Sequence, residues 1–164
     1  MKTCFIDTNI IVYANDKNAG DKQRQAIDIV KQQLQMQTGV ISTQVMQEYA
    51  NVAISKLKQE ISVVLRQLRL LEDLAIAPIT PKTTRRAVEI LTTYKISFWD
   101  ANIIAAAEAA ECDVILSEDL NPGQVRVRVH ASLISPGTEM NAVKTRRAEP
   151  DEGADEILFG YANA

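Results

Sequence analysis

The 164-residue sequence predicts an α/β domain with a mostly parallel sheet of about five strands flanked by helices. Three observations carry that prediction. Short apolar runs alternate with longer segments whose apolar residues recur at helical spacing. The run "CDVILS" lacks polar alternation, as a strand covered on both faces must. A hydrophobic content of 46% over this length supplies one sizeable core and gives no sign of a second.

Taken in order, "KTCFID" is a buried strand that runs into a short helix, and about 16 residues from Asp21 place Ile27, Val30 and Leu34 on one helical face. "GVIS" is the second strand. Thr43 caps a helix reaching about Ser55, and "LKQEISVVLRQLRLLED" sets Leu57, Ile61, Leu65 and Leu68 at helical spacing. "LAIAPIT" is the third strand. Thr80 followed by Pro81 marks an N-cap with proline at the first helical position, and Val88, Leu91 and Tyr94 line that helix inward, leaving Lys82, Arg85, Arg86 and Glu89 outward. "SFWDANIIAAAEAAE" is a further helix with Ile103, Ile104 and Ala107 packed inward, "CDVILS" the fourth strand, and "VRVRVHASLIS" a more polar edge strand.

The domain is placed at residues 1–136, ending near Pro136. The remainder, 137–164, runs from basic to acidic to apolar without a core-facing period and reads as a disordered tail, or as a segment that folds on a partner. The longest apolar runs stop well short of a membrane span, and Asp7 and Asn9 interrupt a signal-like start, so a cytoplasmic protein with no membrane partner is expected. Cys4 and Cys112, far apart and outside any CxxC pairing, read as small buried thiols in a reducing compartment.

Histidine chemistry is nearly closed to this chain. Its one histidine, His130, lies in a strand-like run, and there is neither a GxxxxGK[ST] loop nor a GxGxxG turn. Carboxylates remain. Asp7 closes the first strand, while Glu118 and Asp119 follow the fourth, and ligands of parallel sheets sit outside the carboxyl ends of strands. Glu48 falls on the apolar stripe of Val45, Tyr49 and Val52, where a solvated glutamate has no reason to be. Asp100 opens the helix that buries Ile103 and Ile104. Each acid also has a purely structural reading: Asp7 as a helix cap, Glu48 as partner of a buried base, Asp119 as a turn former, and Ser97 with Asp100 as an S-x-x-D capping box. If the four converge, their repulsion requires a cation, and an all-oxygen donor set selects a hard ion such as Mg2+ or Mn2+, in one or two copies, able to activate water beside a phosphate.

The segments "FIDTNIIVYA", "QVMQEY", "SFWDANIIAAA" and "VILSEDLNPGQ", spaced in this order over residues 1–136, resemble the PIN-domain family, especially its VapC-type toxins. The resemblance implies a PIN-like three-layer sandwich and a Mg2+- or Mn2+-dependent endoribonuclease that hydrolyses phosphodiester bonds in structured RNA such as tRNA or rRNA. It implies Asp7, Glu48, Asp100 and Asp119 as catalytic metal ligands, with Asn9 and Ser117 as supporting polar groups, and favours Asp119 over a solvent-turned Glu118. It also implies a toxin–antitoxin system, with a cognate antitoxin and a homodimer as partners. Glu111, where a small turn residue is expected between helix and strand, Pro122 and the tail depart from the family pattern.

The formal charge of −3 is uneven, for residues 141–164 carry three basic and five acidic side chains. With four site acids neutralised by metal, the rest of the body is positive. Lys82, Arg85, Arg86 and Lys95 are then candidate RNA phosphate contacts, against the plainer reading of a solvated helix face. An aromatic content of 5% speaks against a base-stacking platform. Two other functions compete: a doubly wound phosphatase, disfavoured because Asp7-Thr8-Asn9 lacks the second acid of a DxD pair, and a catalytically inactive PIN-like module that binds RNA or protein.

Overall fold

The computed structural model describes residues 2–118 and the backbone of 126–128. A five-stranded sheet runs in the order β3-β2-β1-β4-β5, formed by β1 (Cys4–Ile6), β2 (Gly39–Ser42), β3 (Ala75–Ala77), β4 (Val114–Leu116) and β5 (Arg126–Arg128). β1 to β4 are mutually parallel where they pair, and only β5 joins antiparallel, along β4. The central strands are apolar because both their faces are covered: Phe5, Ile6, Ile41 and Ile115 are essentially inaccessible.

Successive connections α1 (Thr8–Ala14) with α2 (Asp21–Met36), then α3 (Thr43–Ser55) with α4 (Ile61–Leu71), carry the chain from β1 through β2 to β3. The chain then reverses. α5 (Pro81–Tyr94) and α6 (Phe98–Ala109) lead from β3 back past β2 and β1 to β4. Right-handed crossovers taken in opposite directions put the two groups of helices on opposite faces of the sheet, giving three layers. The packing agrees: α1 touches α2 and α3, and α3 touches α4, whereas α5 packs on α6 and α6 on β2, β3 and β4. The reversal lies between β1 and β4, and that is where a doubly wound sheet opens a crevice.

Several expectations shift by a residue or a turn. Ser42, rather than Thr43, caps α3, its hydroxyl accepting from the Val45 amide at 3.3 Å, while the Thr43 hydroxyl accepts from the Ile79 amide at 3.1 Å. Leu57 precedes α4, because Lys58 adopts a left-handed backbone (φ 53°) that no helix tolerates. Thr80 caps α5 in a reciprocal box with Thr83, as the Thr-Pro pair predicts. Glu111 occupies the turn before β4 at φ 53°, the conformation for which a small residue is expected. The predicted edge strand is described only at Arg126–Arg128; His130, Pro136 and the tail fall outside the described residues.

The largest shift concerns α5, whose buried face is Thr83, Ala87 and Ile90, whereas Val88 is exposed. Against the alanine-rich α6 only small residues allow close approach, which turns the helix about one residue from the face that apolar periodicity suggests. The turn brings Arg86 inward. Its guanidinium grips Glu108 of α6 through Nε–Oε2 at 2.9 Å and Nη2–Oε1 at 3.4 Å, and reaches Glu89 at 2.9 Å. Arg86 is therefore half-buried in an ion-pair network of the fold, and its Glu108 partner holds its already high pKa higher still.

Two predictions test this packing. An alanine Cβ at Gly39 would meet Gln33 Cβ at 2.8 Å and Leu74 Cδ2 at 2.7 Å, so Gly39→Ala should lower stability in urea titration by about 1–3 kcal/mol. Arg86→Ala should cost about 1–2 kcal/mol by the same measurement, because Glu108 is left half-covered without its fork, while Arg85→Ala on the exposed side stays within about 0.5 kcal/mol of the parent.

Candidate functional site

The register of β1 on β4, Ile6 opposite Leu116, delivers Asp7 and Ser117 side by side where the two strands end. Asp7 continues the ladder by donating its amide to the Leu116 carbonyl at 3.0 Å. Its carboxylate then works in two directions. Oδ1 accepts from the Thr8 amide at 2.7 Å and so caps α1, while Oδ2 accepts from the Ser117 hydroxyl at 2.6 Å. Asn9 donates from Nδ2 to the same hydroxyl at 3.2 Å. Ser117 is fully buried and Asp7 nearly so, at 9% exposure.

Thr8 extends the site to the next helix. Its hydroxyl donates to Glu48 Oε2 at 2.5 Å, and Gln44, one turn earlier on α3, donates to Glu48 Oε1 at 2.9 Å. The same Gln44 amide lies 3.4 Å from the Trp99 carbonyl, tying α3 to the first turn of α6. One residue on, Asp100 donates its amide to the Ser97 hydroxyl at 3.1 Å, and that hydroxyl donates back to Asp100 Oδ2 at 2.7 Å. Ser97 is thus the N-cap, but the Asp100 carboxylate meets the serine hydroxyl, in place of the backbone amide that a capping box would use.

Asp7, Glu48 and Asp100 are in this way joined through Thr8, Gln44 and Trp99. Asp119 lies outside the described residues. Among the described residues no three acidic, histidine or cysteine side chains close into a metal-holding cluster, and hydroxyl and amide donors meet the oxygens of Glu48 and Asp100. The donor chemistry nonetheless fits a hard divalent ion, since carboxylate and hydroxyl oxygens dominate it. Gln44 Oε1, buried and without a hydrogen-bond partner among the described residues, adds a further oxygen.

Thr8 and Gln44 escaped the sequence reading. Gln44 left one signal, a spacing of four before Glu48 on the same face; Thr8 left none, for a threonine at a helix start is unremarkable. Nor is Glu118 simply turned to solvent. Its Oε1 lies 2.6 Å from Lys22 Nζ on α2, and Lys22 sits 5.0 Å from the ring centre of Tyr13 on α1. Hydrogen bonds from Lys22 and Tyr13 hold the Glu118 carboxyl below its usual range, and the same bond to Glu118, with burial, raises the Tyr13 phenol. Lys82, Arg85 and Lys95 are exposed, and Lys95 ends α5 two residues before Ser97. Trp99, beside Asp100, is 61% exposed and meets Phe98 edge to face.

Three solved structures share the fold. The Mycobacterium tuberculosis VapC20 toxin, a sarcin–ricin loop cleaving toxin, aligns over 77% of this chain and 99% of its own at 21% identity and a TM-score of 0.58. A toxin–antitoxin complex from Klebsiella pneumoniae aligns over 84% and 100% at 18% identity (TM-score 0.54). VapBC2 from Rickettsia felis, bound to a DNA fragment from its promoter, aligns over 72% and 89% at 22% identity (TM-score 0.54). No curated protein sequence matches. The PIN-domain model matches residues 4–128, a span from β1 to β5 that holds every acid of the network, and the chain belongs to the PIN-domain family.

Proposed function

We propose that the chain is a Mg2+- or Mn2+-dependent endoribonuclease, the toxin of a toxin–antitoxin pair, which hydrolyses phosphodiester bonds in structured RNA such as tRNA or rRNA. The observation that carries this reading is the hydrogen-bonded path from Asp7 through Thr8 to Glu48, and through Gln44 to the first turn of α6 where Asp100 stands. In a family fold, that path begins where β1 ends beside β4, at the strand reversal. The similar structures are of a toxin that cleaves the sarcin–ricin loop and of toxin–antitoxin assemblies, which supports the substrate class and an antitoxin partner; a cytoplasmic site of action goes with that reading. Self-association into a homodimer belongs to the same proposal.

Asp7, Glu48, Asp100 and Asp119 would hold the ion, which when bound supplies an activated water and stabilises charge on the phosphate. Ser117 and Asn9 orient Asp7, and Thr8 with Gln44 orients Glu48. Lys82, Arg85 and Lys95 contact RNA phosphates, whereas Arg86 is occupied within the fold. A PIN fold that binds RNA without cleaving it is the second reading, favoured by the lack of a closed three-acid cluster among the described residues.

Cleavage of structured RNA should require Mg2+ or Mn2+, stop with chelator, and fall by at least about a hundredfold in Asp7→Asn. RNA that is bound but left intact in Mn2+ would select the non-cleaving module, and cleavage surviving chelator would exclude the metal mechanism.

Asp100→Ala separates ligand from cap. The Ser97 cap bond uses the residue-100 amide, which alanine retains, so the metal-free variant should unfold within about 0.5 kcal/mol of the parent or above it. It should nevertheless lose both cleavage and the stabilisation that saturating Mn2+ gives the parent, about 2.7 kcal/mol at a hundred times Kd. A destabilised but active variant would return Asp100 to a capping role.

A further inference from the structure

Two consecutive residues at the end of β4 are tied to the same helix at two levels. Ser117 donates to Asp7, the residue that caps α1, at 2.6 Å. Glu118 is held near the other end of that helix by Lys22 Nζ of α2 at 2.6 Å, with the ammonium 5.0 Å from the centre of the Tyr13 ring. Asp7 and Tyr13 are six residues apart, roughly 9 Å along a helix. The two attachments bracket the peptide between Ser117 and Glu118, whose orientation sets where the Ser117 side chain leaves the backbone. An ion pair as exposed as Lys22–Glu118, 55% and 34%, adds little to global stability. Its consequence is local.

We propose that Lys22, seated over the Tyr13 ring, is a positioning residue that acts through Glu118 to hold the Ser117 hydroxyl on Asp7, fixing the carboxylate that the ribonuclease reading, on which this rests, assigns to the metal. Lys22 need not touch RNA. A lysine serving a phosphate instead would have to leave Glu118 first, so the two roles predict opposite behaviour when Glu118 is neutralised.

The test uses the full chain in five forms: parent, Lys22→Met, Lys22→Arg, Glu118→Gln and the Lys22→Met/Glu118→Gln double variant. Hydrogen exchange of the Asp7 amide, which bonds to Leu116, reads the clamp without any activity assay. Exchange there should quicken about tenfold in Lys22→Met and in Glu118→Gln, no further in the double variant, and recover in Lys22→Arg. In RNA cleavage the single variants should lose about tenfold in kcat with KM and salt slope unchanged, and apparent Mn2+ affinity should weaken in step. Unchanged exchange at Asp7 overturns the clamp. A raised KM with a flattened salt slope in Lys22→Met, together with tighter RNA binding in Glu118→Gln, makes Lys22 a phosphate contact and also overturns it. If exchange responds as expected but the parent never cleaves RNA, the clamp stands and the ribonuclease reading fails.

Discussion

The parallel pairing of β1 with β4 is the constraint on which the rest of this protein depends. Because a one-residue slip in a strand exchanges its two faces, the register that buries Phe5, Ile6 and Ile115 also decides that Asp7 meets Ser117. From that meeting the site propagates by chain connectivity. Asp7 caps α1, so Thr8 and Asn9 are delivered within the first turn; Thr8 reaches Glu48 on α3, and Gln44 carries the connection to α6. Apolar packing supplies the energy, and the register turns it into the placement of polar groups.

A polar path at the edge of an apolar core is costly unless its members satisfy one another. Here the surrounding residues are among the most deeply buried in the molecule: Phe5, Ile6, Ile41, Val45, Tyr49 and Ile115. Burial likewise raises the pKa of the Tyr49 hydroxyl, which is shared with Gln59 and Gln67 and anchors α3 one residue from Glu48.

What the sequence discloses, and what it hides, follows from the range of the interaction concerned. Asp7, Glu48 and Asp100 were legible because each breaks an apolar pattern, and a break needs only local context to be seen. Strands and caps were legible for the same reason, down to the Thr80–Pro81 start of α5. Arg86 was misread because its partner, Glu108, is 22 residues away on another helix, and periodicity ranks only apolar residues when it chooses a face. α6 misled in a different way: with Ala101 to Ala107 all buried, it has no single apolar face to find. Lys22 and Glu118, from elements nearly a hundred residues apart, could be paired only by the fold.

The distribution of cations carries the argument one step further. The ion pairs found among the described residues engage Asp21, Glu89, Glu108 and Glu118, and none of them engages Glu48 or Asp100. Those two acids are held by hydroxyl and amide groups instead. The difference matters physically, because a lysine or arginine bound to a carboxylate competes with any other cation for the same charge, and displacing it leaves two groups to be resolvated. A hydroxyl rotor gives up its hydrogen bond at far smaller cost and can turn an oxygen lone pair toward the newcomer. Among the described residues, the ion-paired acids thus lie outside the pair Glu48 and Asp100, which neutral donors leave open to another cation. That division suits the hard cation proposed above, and it draws on residues of α1, α3 and α6.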